Sequence, residues 1–105
     1  MSDKNPKFLL ISAPDTPLVG TFVYGWVWQH KELVTGYGKT HGGGWFHKDD
    51  LRKVMTLYGR SGDYGEPDFR FLDRIPSELK GYSFVYTPDW GGEERDLDLS
   101  DVEWF

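Results

Sequence analysis

The stretch Gly42-Gly43-Gly44-Trp45-Phe46-His47-Lys48-Asp49-Asp50-Leu51-Arg52-Lys53-Val54-Met55-Thr56-Leu57-Tyr58-Gly59 decides how the rest of the chain is read. Leu51, Val54, Met55 and Tyr58 recur at i, i+3, i+4 and i+7, an apolar face on a 3.6-residue period, with Arg52 and Lys53 toward the other side. Asp49 and Asp50 stand where the first turn of a helix favours negative charge, and Phe46 can pack on Leu51 as a hydrophobic staple. Gly59 can close the element in a left-handed conformation. The stretch therefore predicts a glycine hinge feeding one principal helix over about residues 48–58.

On either side the runs read as strands. Phe8 to Ser12 is a short apolar run stopped by Pro14 and Pro17. Thr21 to Trp28 is the strongest strand, with Phe22, Tyr24, Trp26 and Trp28 on one face and Thr21, Val23 and Val27 on the other. Leu33 to Lys39 reads as its antiparallel return, weakened by Gly36 and Gly38. Beyond the helix, Phe69 to Leu72 and Tyr82 to Thr87 read as strands, Ile75 to Gly81 as one helical turn, and Leu97–Leu99 and Val102–Trp104 as the last strand-like periods. These elements predict an α+β domain, a mainly antiparallel sheet of five or six strands packed by the helix; the alternative is a small, partly open β-barrel with one helix. Residues 1–7 read as a flexible tail and 8–105 as one globular domain.

Composition narrows the function classes. The chain has no cysteine, which excludes disulfides, thiolate metal sites and cysteine nucleophiles. Its apolar run Phe8-Leu9-Leu10-Ile11 is too short for a secretory or membrane segment, so a cytoplasmic protein is expected. Between Asp89 and Glu103 seven carboxylates face Arg95 alone, a balance that repels a phosphate backbone and suits a basic protein partner better than nucleic acid. A solvated acidic surface has the same composition.

Several constellations carry chemistry on paper. Gly43 and Gly44, followed by the amides of a helix start and assisted by Lys48, suit an anion; Asp49 and Asp50 at the same end oppose it. His41, His47 and Asp50 offer three ligands for a divalent metal, at a spacing that matches no regular metal motif. His47 with Asp63 and Glu66 can divide proton-transfer roles if a pocket forms between the 41–48 hinge and the 60–68 loop, as in a small-molecule binder or a metal-assisted hydrolase. Gly38-Lys39-Thr40 lacks the upstream glycine and the following helix of a phosphate loop. The reading favoured over these is an accessory protein-interaction domain without catalysis or cofactor, its contacts made by Trp45, Trp90, Asp98 and Asp101, with self-association as a further possibility.

Overall fold

The computed structural model describes residues 4–34 and 38–105. Among the described residues strand takes 45% and short helical turns 10%, with no true helix, so the expected α+β layering is overturned. The stretch expected to be the helix is a hairpin: β1 (Asn5–Ser12) and β2 (Gly20–Val27) are followed by β3 (Lys39–Asp49), which turns directly into β4 (Val54–Tyr58).

The cause is local. Asp49, read as a helix-start charge, instead accepts the backbone amides of Leu51 and Arg52 at 3.1 Å each on one carboxylate oxygen, the bonding of an Asx turn. Lys53 completes the reversal at φ 57°. Leu51, the first member of the supposed apolar stripe, is 98% exposed at the hairpin tip. Leu57 had no place in the helical stripe, yet it is fully buried beside Met55, while Val54, Thr56 and Tyr58 alternate to the other face. The true period is two.

The remaining strands are β5 (Arg74–Ile75), β6 (Ser83–Thr87), β7 (Arg95–Asp96) and β8 (Glu103–Trp104). All eight form one sheet in the order β7-β6-β4-β3-β1-β2-β5-β8. The expectation of a mainly antiparallel sheet is also corrected: β4 with β6, β2 with β5 and β5 with β8 pair in parallel. Consecutive hairpins explain only the middle of the sheet. The segment from Gly59 to Tyr82 is a crossover that leaves β5 beside β2 before returning to place β6 on β4.

The sheet curls into a half-barrel. Phe22 on β2 and Phe84 on β6 are separated by three intervening strands, about 19 Å on a flat sheet. Their rings nevertheless meet edge to face at 5.5 Å, and Phe8 stacks on Phe22 at 5.4 Å. The concave face is thus the core, joined by Phe46, Met55 and Leu57. Because the barrel alternative also rested on the helix, that expectation needs the same correction.

Residues 95–105 close the open side. β7 and β8 lie at opposite sheet edges, and the chain between Asp96 and Glu103 spans no more than about 25 Å. Leu97, Leu99, Val102 and Trp104 pack against the core, while Asp96, Asp98, Asp101 and Glu103 remain exposed. The acidic segment is therefore an amphipathic strap.

Other expected elements shift. β1 begins at Asn5, inside the segment read as a tail, and buried Lys7 donates to the Val27 carbonyl at 3.0 Å. Of the strand expected at 33–39, Leu33 ends a 3-10 turn at His30–Leu33 and Lys39 begins β3; residues 35–37 lie outside the described residues. Phe69–Phe71 is a 3-10 turn whose Asp68 caps the Arg70 amide. A second such turn at Ser77–Leu79 falls within the segment expected to hold one. Among the described residues no helix is long and apolar enough to cross a membrane.

Candidate binding site

Alternation along β3 sends Phe46 to the core and its neighbours Trp45 and His47 to the convex face. There Trp45 lies opposite Tyr58 of β4, their rings 6.5 Å apart and 27° from parallel. Tyr58 meets Trp90 at 4.7 Å, and Trp90 meets His47 at 5.6 Å. Four rings from β3, β4 and the β6–β7 loop thus form one continuous strip. Trp90 is 60% exposed, His47 is exposed, and Trp45 and Tyr58 are half-buried.

Each end of the strip is held. His30 packs edge-on to Trp45 at 5.2 Å, and its Nε2 donates to the Gly44 carbonyl at 2.8 Å, so that nitrogen carries the proton. Burial lowers the His30 pKa, which keeps the ring neutral at pH 7. At the other end Thr87 donates its hydroxyl to the Asp89 carbonyl at 2.6 Å, and the same carbonyl accepts the Gly92 amide at 2.9 Å. This tight turn, with Gly91 at φ 83°, carries Trp90 over the sheet face beside Thr56.

The same loop walls a second feature. Between it and residues 66–69 is a cleft of about 600 Å³, floored by the rings of Tyr86 and Phe69, which meet at 4.9 Å and 63°. Tyr86 donates its hydroxyl to the Gly59 carbonyl at 2.9 Å, and burial followed by the nearby Glu66 charge raises its pKa. Glu66, Asp89, Glu93 and Glu94 line the cleft, and none of them forms an ion pair with a described residue. The Arg95 guanidinium lies 5.9 Å over the Phe69 ring.

The other sequence-selected residues fall elsewhere. Gly43 and Gly44 lie inside the sheet, where a Cβ would meet the Phe8 carbonyl at 2.1 Å and the Tyr58 carbonyl at 2.5 Å. The Gly43 amide already donates to the Gly65 carbonyl at 3.2 Å, and the helix start credited with further amides is absent. Lys48 instead pairs with Asp50 at 3.3 Å, and Asp50 also accepts the Tyr82 hydroxyl; the Tyr82 bond, then Lys48, lower the Asp50 pKa. His41 shares a 2.9 Å hydrogen bond with Ser12 and stacks on Phe71 at 3.5 Å, with its pKa lowered chiefly by burial. His47 lies six positions further along β3, roughly 20 Å of extended strand. Among the described residues no group of three or more His, Cys, Asp or Glu is placed to hold a metal ion.

Asp63 lies in the turn built on Ser61, whose hydroxyl accepts the amides of Asp63 and Tyr64. Glu66 lines the cleft, whereas His47 belongs to the convex strip, so the supposed proton carrier is not among that cleft's lining residues. Asp98 and Asp101 are exposed on the strap, where Asp98 accepts the Ser100 amide at 2.9 Å. Sequence reasoning missed Tyr58, because a helix would have turned it inward. The available signal was the alternation Val54, Thr56, Tyr58. Comparison with protein-family models, curated proteins and solved structures finds no match to this chain.

Proposed function

We propose that this is a binding domain that recognises a partner protein through its convex aromatic strip, acting by recognition rather than turnover. One observation carries the reading: Trp45, Tyr58 and Trp90 join ring to ring on the sheet face opposite the core of Phe8, Phe22 and Phe84, with Trp90 60% exposed. Rigid aromatic side chains give large contact area for little lost conformational freedom, which is why Trp and Tyr dominate the energetic centres of interfaces. The carboxylates Asp89, Glu93 and Glu94 in the loop that carries Trp90 favour a basic partner and speed its approach.

The test is affinity capture with the wild-type domain and with Trp90→Ala, at low and at physiological salt, followed by cross-linking to locate the contact. A partner that cross-links beside the strip, is lost with Trp90→Ala and weakens with added salt supports the reading. A stoichiometric partner retained by Trp90→Ala, or cross-linked elsewhere, overturns it.

A further inference from the structure

We infer that the cleft floored by Tyr86 and Phe69 receives a cationic side chain, the guanidinium or ammonium of an exposed basic segment; this deepens the protein-binding reading and rests on it. The cavity is large enough for such a group, since binding clefts of about 300–1,000 Å³ hold whole small ligands. Its floor is aromatic and its walls are acidic. A ring face attracts a cation within about 6 Å, more strongly where water is partly excluded. Here one guanidinium, that of Arg95, already lies 5.9 Å over the Phe69 ring.

Charge complementarity selects the occupant. Glu66, Asp89, Glu93 and Glu94 line the cleft against the single cation Arg95, and none is neutralised by an ion pair with a described residue. Arg60 enters only at the adjoining recess with Gly59, while Arg70 is held by Asp68 at 2.7 Å. An incoming cation therefore meets free carboxylates above an aromatic floor. Arg95 competes for the Phe69 face, and removing its charge should open the site.

The experiment titrates the domain with an acetylated, amidated Gly-Gly-Arg-Gly-Gly peptide and with its isosteric, uncharged citrulline counterpart, following backbone and aromatic NMR resonances. A single anchored side chain is expected to bind in the millimolar range, roughly 1–10 mM. The arginine peptide should shift Phe69, Tyr86 and Glu94 resonances and the citrulline peptide should not. Binding should weaken about tenfold in Glu66→Gln/Glu94→Gln and tighten several-fold in Arg95→Gln. Each variant is accepted only if resonances remote from the cleft keep their positions.

Equal response to both peptides, shifts confined to other regions, or no shift up to about 10 mM overturns the inference. So does a Gly-Gly-Glu-Gly-Gly peptide that binds more tightly and is lost with Arg95→Gln, because the cleft would then be an anion site. The two readings fail differently. Without cleft shifts but with Trp90-dependent capture, only this inference falls; with cleft shifts but capture indifferent to Trp90, the strip reading falls.

Discussion

Trp45 and Phe46 are adjacent on one strand and both aromatic, yet they serve opposite faces of the sheet. Phe46 is enclosed, edge-on to Tyr24 at 5.4 Å and to Trp26 at 5.2 Å. Trp45 stacks only loosely on Tyr58 and remains half-exposed. A high aromatic content is therefore not by itself a core. The concave face uses its rings to hold the curl, and the convex face keeps its rings where another molecule can meet them.

The hardest blow to this contrast would come from the concave side. Phe46→Ala should cost about 3–5 kcal/mol in urea unfolding, through lost burial and the cavity left behind. A loss below about 1 kcal/mol would mean that the curl is not held from within. Next is a place where the convex side has no room: Gly43→Ala brings a Cβ to 2.1 Å from the Phe8 carbonyl. It should cost about 1–3 kcal/mol as β1 and β3 are forced apart. A neutral outcome would remove the close approach as a reason for glycine there.

Acidification sharpens the comparison at the inner end of the strip. The folded His30 pKa lies below its ordinary 6.5 because burial penalises the charged ring, so the unfolded chain binds more protons between the two values. Its contribution to stability is complete above pH 6.5 and is lost as pH falls through the folded pKa. His41 shifts in the same direction. Thermal melts should show the midpoint falling from pH 7 to 5, with a shallower slope in His30→Gln; an unchanged slope would place the titration elsewhere.

The smallest stability effect belongs to the outer end. Trp90→Ala should change the unfolding free energy by no more than about 0.5 kcal/mol while weakening partner binding at least tenfold. A large loss of stability with binding intact would make the strip a second core.

How much of this was legible depends on how local the cause is. β1, β2 and β6 fall on apolar and aromatic runs, the first bounded by Pro14 and Pro17, and pattern alone finds them. β4 was masked because Leu51, Val54, Met55 and Tyr58 satisfy a helical period, and only Leu57 betrays the alternation. The parallel pairings of β4 with β6 and β2 with β5 have no local signature, since the partners are far apart in sequence and no turn between them sets the register. Trp45 and Trp90 are candidate contact residues that the sequence alone offers, and the structure places both in the convex strip. That Tyr58 connects them follows from the hairpin register, and the cleft at Tyr86 and Phe69 from the long return after Gly59.

The strap from Arg95 to Phe105 has a mechanical consequence. It pairs with β6 at one rim and β5 at the other, so the curled sheet is hooped by covalent chain where a full barrel would be closed by hydrogen bonds. A hoop transmits tension: releasing one rim slackens the grip on the other. Amide hydrogens of β5 and β6, at distant positions in the sheet, should therefore exchange with solvent in one shared opening event.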